Sequence, residues 1–171
     1  NTRIMAAVPT IKKVLAAGGI PVLMSHLGRP DGARVSEMSL SALVGEVEKA
    51  VGATVHFAED CIGQAAESVV AKAKAGEVVL LENLRYYKEE TSGDEGFAKA
   101  LAALGDIYLN DAFGTAHRAH ASTAIIAQFF SPENKGFGDL MNAEVESISK
   151  ALGSDRHSTV AIIGGAKVSS K

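Results

Sequence analysis

Two histidines and an arginine crowd into four residues at His117, Arg118 and His120, with small residues around them and no carboxylate after Asp111. As a zinc site this is poor: the histidines are three apart, no Cys or third ligand is near, and the intervening cation opposes a metal. As a cradle for an anionic small molecule the stretch makes sense, and a satisfied structural turn fits it equally. Three further segments carry chemistry of the same kind. Ser25–His26–Leu27–Gly28–Arg29–Pro30 lets the backbone turn tightly at Gly28 and stops it at Pro30, leaving His26 and Arg29 as donors. Its plainer reading is an ordinary Gly-Pro turn. Glu82–Asn83–Leu84–Arg85 follows an apolar run; an Asn and an Arg so near a buried strand end need partners. A Glu82–Arg85 ion pair serves there as well as a ligand. Gly164–Gly165–Ala166–Lys167 offers backbone N–H groups and an ammonium, which is phosphate-binding chemistry in general form.

Several other chemistries lack their signatures. The spacing of a P-loop is absent, as are a Gly-x-Gly-x-x-Gly fingerprint and a Gly-x-Ser-x-Gly elbow. Cys61 has no nearby His to activate it and reads as a core or helix-start residue. His56 and His157 read as structural or solvated.

The cations are distributed unevenly. Most lysines fall in helical-looking stretches, where a solvated face is expected. Arg3, Arg29, Arg85 and Arg118 instead sit where helices begin or strands end, and arginine grips a carboxylate or phosphate with two parallel hydrogen bonds. The chain has 171 residues, 47% hydrophobic and 22% charged, with a formal net charge of -3. That composition suits a globular chain with a sizeable core and argues against a nucleic-acid or anionic-membrane surface. No apolar run reaches the roughly 18 residues of a bilayer span, and the N-terminus does not read as a signal peptide. A single cysteine permits no internal disulfide and fits a reducing compartment.

The elements that must position these groups alternate. Ile4, Val8, Ile11 and Leu15 recur at helical spacing, opened by Asn1–Thr2 and stopped by Gly18–Gly19, with a kink or a true start expected at Pro9. Residues 21–25 read as a strand buried on both faces. A helix through Leu40, Leu43, Val47 and Val51 ends at Gly52. A strand follows at 54–57, a helix at 62–73, a strand at 77–81, a helix at 94–104 and a strand at 107–110. After a long irregular region come a helix at 140–152 and an apolar strand at 160–163. Helices of this length between strands indicate right-handed crossovers and a parallel sheet covered on both faces. Each of the four segments then follows a strand, at the rim where open parallel sheets bind ligands. The polar residues 153–159 form the best boundary between two domains. Both ends look cut, with no strand before the first helix and no helix after the last strand.

Taken in order, these motifs resemble the phosphoglycerate kinase family. The matching runs are Leu23–Met24–Ser25–His26–Leu27–Gly28–Arg29–Pro30, Leu80–Leu81–Glu82–Asn83–Leu84–Arg85, Asn110–Asp111–Ala112–Phe113–Gly114–Thr115–Ala116–His117–Arg118–Ala119–His120–Ala121–Ser122 and Gly164–Gly165–Ala166–Lys167–Val168, with Thr2–Arg3–Ile4 and Asp60–Cys61–Ile62–Gly63 beside them. The resemblance implies a three-layer α/β/α, Rossmann-like fold with a parallel sheet, here without the family's first strand. It implies an N-terminal phosphoglycerate-binding domain over 1–152, then a linker and the first strand-turn of a nucleotide-binding domain over 153–171. The reaction implied is the glycolytic phosphoryl transfer between 1,3-bisphosphoglycerate and ADP.

By the same resemblance Arg3, His26, Arg29, Arg85 and Arg118 form a basic patch for 3-phosphoglycerate, helped by the backbone of Leu27 and Gly28, with His117 and His120 lining or flanking it. Arg3 would be nearest the transferred group and, with Lys167, catalytic; Lys167 and Lys171 would reach the nucleotide phosphates. Mg2+ with ATP or ADP is the implied cofactor of the full-length enzyme, and none is expected on this stretch. A cytoplasmic monomer is expected, with the missing C-terminal domain as its partner in catalysis, no nucleic acid and no membrane. Without that domain and the family's first strand, this stretch is expected to be inactive as a kinase. Tyr86–Tyr87 and Ser169–Ser170 stand where the family pattern has Phe-His and Ser-Asp. A non-catalytic anion-binding module of the same fold is the alternative; a nicotinamide oxidoreductase is disfavoured by the missing glycine fingerprint.

Overall fold

A computed structural model of the chain describes residues 2–152. Asn1, the apolar run 160–163, the Gly164–Gly165 turn, Lys167, Lys171 and the boundary at 153–159 lie outside the described residues. Helix α1 (Thr2–Ala16) leads to β1 (Val22–Leu23), α2 (Val44–Val51), β2 (Val55–Phe57), α3 (Gly63–Lys72) and β3 (Val78–Leu80). Then come α4 (Lys88–Ser92), α5 (Glu95–Ala102), β4 (Tyr108–Asn110), β5 (Lys135–Phe137) and α6 (Asp139–Leu152).

Strand β3 organises the molecule. It lies between β1 and β2, parallel to both, with Val79 opposite Val22 on one side and His56 on the other. Val78 and Leu80 pack with Val8 and Ile11 of α1 and Val47 and Val51 of α2. Val79 and Leu81 pack with Ala66 of α3 and Phe97, Ala98 and Leu101 of α5. Alternate residues of a strand face opposite ways, so one four-residue apolar run joins two helical layers. Burying each Val or Leu there contributes about 1.5–3 kcal/mol. The chain is therefore α/β with parallel strands between helices, as its periodicity predicts.

Local signals explain the ends of these elements. Asp94 accepts a hydrogen bond from Phe97 N at 2.7 Å and caps α5. Gly52 closes α2 in the left-handed region, at φ 79°.

Four sequence expectations need correction. Helix α1 does not start at Pro9; it runs unbroken from Thr2 to Ala16 with Pro9 exposed within it. Strand β1 is half-buried, because it forms the edge of its sheet with β3 alone. The helix expected at Leu40 opens as a 3-10 turn over Leu40–Leu43, capped by Ser39. The irregular region also hides β5, parallel to β4 in a second sheet. Lys135, Gly136 and Phe137 are all exposed, so no apolar pattern marks them as a strand.

Candidate anion-binding rim

The rim is built where chain leaves β1, β3 and β4. After β3, Asn83 is fully buried and acts as a hub. Its Nδ2 donates to the carbonyls of Leu27 at 2.8 Å and Met38 at 2.9 Å, while its Oδ1 accepts from Arg85 N at 3.0 Å. One side chain thus sets the loop after β1 against the backbone of Arg85. Gly28 sits at φ 67°, and a Cβ there would lie 2.7 Å from Met38 Sδ, so the tight turn read from the sequence also needs the missing side chain.

Glu82 does not pair with Arg85. Its carboxylate accepts from Ser39 Oγ at 2.7 Å, Leu40 N at 2.8 Å and Asn83 N at 2.7 Å, which leaves Arg85 to the rim. Arg85 Nη1 donates to Gly28 O at 3.4 Å, and its Nε is buried without a hydrogen-bond partner.

The loop after β4 supplies the rest. Asn110 Nδ2 donates to Thr123 O at 3.0 Å, closing the loop on itself, and Ala112 N donates back to Asn110 Oδ1 at 3.0 Å. Arg118 is exposed, its Nε donating to His117 Nε2 at 3.3 Å. His117 is exposed too, whereas His120 is buried. Beneath them stands Glu90, 3% exposed, which accepts from Ser122 Oγ at 2.6 Å and Ser122 N at 3.0 Å. His120 Nδ1 is 3.7 Å from Glu90 Oε1. Gly93, at φ 72°, lets the end of α4 approach so closely that a Cβ would lie 2.5 Å from Ala119 O.

Electrostatics place the sequence-predicted cations within reach of one another. Burial pushes His26 down to about 4, and the charges of Arg85, Arg3, His120 and Arg118 push the same way. Burial lowers Arg85 as well; Glu90 works against that shift, and Arg118 and Arg29 add to it. His120 is lowered by burial, with Glu90 opposing and Arg85, Arg118 and His117 reinforcing. The charges of Arg3, Arg85, Arg118 and His120 thus act on His26, those of Arg29 and Arg118 on Arg85, and that of His117 on His120. Glu90, Ser122 and the hub role of Asn83 were not read from the sequence. Glu90 resembles a solvated charge in its Lys88–Glu89–Glu90 context; the only signal was a buried Asn needing partners.

This electrostatic arrangement sets a pH dependence of stability. An unfolded His26 titrates near 6.5, and the folded one near 4. Between those values the unfolded chain holds a proton that the folded chain refuses. Stability is thus full above pH 6.5 and falls as pH drops through 4, with His120 contributing in the same direction. The urea midpoint should decline between pH 7 and pH 5, and His26→Gln should flatten that decline; a midpoint constant over this range would contradict it.

Guanidiniums and imidazoles crowded in this way suit a small polyanion. They do not suit a divalent cation, and among the described residues no group of three or more His, Cys, Asp or Glu is placed to hold one. Among the same residues no helix is long and apolar enough to cross a membrane.

The family model described as phosphoglycerate kinase matches residues 1–171. The chain belongs to the phosphoglycerate kinase family. It is 51% identical over its whole length to the phosphoglycerate kinase of Moorella thermoacetica and 48% identical to that of Ruegeria pomeroyi. It spans 43% and 42% of those relatives' lengths. The crystal structure of phosphoglycerate kinase from Pyrococcus horikoshii superposes with a TM-score of 0.78 at 30% identity, covering 91% of this chain and 39% of that one. The Coxiella burnetii phosphoglycerate kinase superposes at 0.72 with 33% identity, covering 88% and 36%. Tyr86 Oη donates to Val35 O at 2.5 Å and Tyr87 Oη to Asp60 at 3.1 Å, so both tyrosines tie down segments beside the rim.

Proposed function

We propose that this chain forms the wall of a phosphoglycerate kinase that holds 3-phosphoglycerate or 1,3-bisphosphoglycerate. The observation that carries this reading is the crowding of Arg85 and Arg118 about both His26 and His120, with Arg3 acting on His26 and Arg29 on Arg85, the two imidazoles being held neutral near pH 7. Such a cluster repels itself when empty and gains when a multiply charged acid enters. The guanidinium of Arg85, half-buried and held by one long hydrogen bond to Gly28 O, is suited to donate to an anionic oxygen.

In the proposed reaction the bond between phosphorus and the acyl oxygen breaks, a terminal oxygen of ADP bonds to phosphorus, and 3-phosphoglycerate leaves as a carboxylate. An acyl phosphate is already a good leaving group, so this chain contributes binding, alignment and charge neutralisation rather than proton transfer. Arg85, Arg29, Arg118 and His26 would hold the three-carbon acid, with the Leu27 and Gly28 backbone alongside. Arg3 would meet the charge spreading over the equatorial oxygens; fixed guanidiniums need little rearrangement as that charge develops. Lys167 and Lys171, outside the described residues, are assigned to the nucleotide phosphates. Mg2+ would arrive with ATP or ADP, since the cationic rim offers it no ligands. Residues 153–171 would lead into a nucleotide domain, in a monomeric cytoplasmic enzyme whose closure excludes water.

The test is calorimetric titration of the chain with 3-phosphoglycerate, joined to NMR titration of His26 with and without it. Binding should weaken as salt rises, and the ligand's charge should lift His26 above about 4. No detectable binding at low salt, or a His26 titration indifferent to the ligand, would overturn the reading.

A further inference from the structure

Asp111 is the one carboxylate between Asn110 and His120, yet it turns away from the cations beside it. It is not among the charges that shift His26, Arg85 or His120. Its Oδ2 accepts from Thr10 Oγ1 of α1 at 2.6 Å, and its Oδ1 accepts from Met141 N in the first turn of α6 at 3.1 Å. The Thr10 hydroxyl accepts in turn from Asp139 N at 2.8 Å, and Lys13 Nζ lies 2.7 Å from Asp139 Oδ1. Gly138 packs under the joint: a Cβ there would fall 2.3 Å from the Asp111 carboxyl carbon. Helix α1, the end of β4 and the start of α6 therefore meet at one carboxylate.

The joint lies on the lever that carries Arg3. Thr10 is seven residues after Arg3, on the same face of α1 and about 10 Å along its axis. Asp111 is seven residues before Arg118, on the chain that leaves β4. Hydrogen bonds between those two points fix how far along, and at what rotation, α1 presents Arg3 to the rim. α1 packs on the sheet through apolar contacts at Val8 and Ile11, which are non-directional and set its rotation less sharply.

We propose that Thr10 and Asp111 are positioning residues that hold Arg3 in register with the basic rim through the α1–β4–α6 joint. This rests on the proposed phosphoglycerate site, and the two can fail separately. Thr10→Val removes the hydroxyl, Thr10→Ser keeps it, and Asp111→Asn keeps the acceptor for Met141 N should Thr10→Val fail to fold. Each is made in the whole chain, with and without Arg3→Ala. The readouts are the NMR titration of His26, which senses the Arg3 charge, and calorimetric affinity for 3-phosphoglycerate.

Thr10→Val should raise the His26 midpoint and weaken 3-phosphoglycerate about fivefold, with neither change appearing in the Arg3→Ala background. Thr10→Ser should match the parent chain. A His26 midpoint unmoved by Thr10→Val, or effects of equal size with and without Arg3, overturns the proposal and leaves the joint as plain scaffolding. If His26 responds but the parent chain binds no 3-phosphoglycerate, the positioning role stands and the proposed function falls.

Discussion

Arg85→Ala is expected to weaken 3-phosphoglycerate binding by about 10- to 150-fold while leaving the fold as stable as before. The loss corresponds to one or more charge-assisted hydrogen bonds of about 1.5–3 kcal/mol each. The unchanged stability follows from what Arg85 does without ligand. Its one side-chain hydrogen bond, to Gly28 O, is long at 3.4 Å, and its Nε is buried without a partner. Its charge is opposed by burial, which Glu90 partly offsets, and by Arg118 and Arg29. Removing it relieves those costs, while its backbone N–H stays bonded to Asn83 Oδ1. Calorimetry and urea unfolding on the same protein separate the two effects. A stability loss matching the affinity loss would mean that Arg85 holds the loop rather than the ligand.

Glu90→Ala should show the opposite split. Truncation leaves Ser122 Oγ and Ser122 N without their acceptor in a buried place and removes the acid nearest His120. Each buried donor left unsatisfied costs about 1–3 kcal/mol, and the two together are a large share of the roughly 5–15 kcal/mol that holds a domain together. The urea midpoint should therefore fall steeply. Affinity measured on the folded fraction should hold or tighten, because a negative charge that opposes the ligand has gone. Glu90→Gln, which keeps one acceptor oxygen, should lose less. A Glu90→Ala protein with parental stability would contradict the anchor role.

The two variants divide the rim into cations that are costly until a ligand arrives and a buried acid that makes their crowding tolerable. That division could be read only in part before the fold was known. Val78 to Leu81 declared a strand buried on both faces because four apolar residues in a row have no other use at that length. Asp94 and Gly52 announced helix ends through chemistry that acts within four residues. His26, Arg29, Arg85 and Arg118 stood out because guanidiniums and an imidazole directly after strands fall at the rim of any parallel sheet. β5 gave no such signal: Lys135, Gly136 and Phe137 become a strand only because β4 lies alongside to accept their backbone pairing.

Most element types, their order and the cationic character of the rim were thus settled by local propensity and short-range pattern, β5 excepted. What each polar group pairs with was decided by the tertiary structure. Glu82 finds Ser39 and Leu40 more than forty residues away rather than Arg85 three residues on; Glu90 finds Ser122, and Asp111 finds Thr10. The reason is physical. A strand or a cap is stabilised by neighbours along the chain, whereas a carboxylate's partner depends on which distant donors share its desolvated space, and that space exists only once the layers have packed.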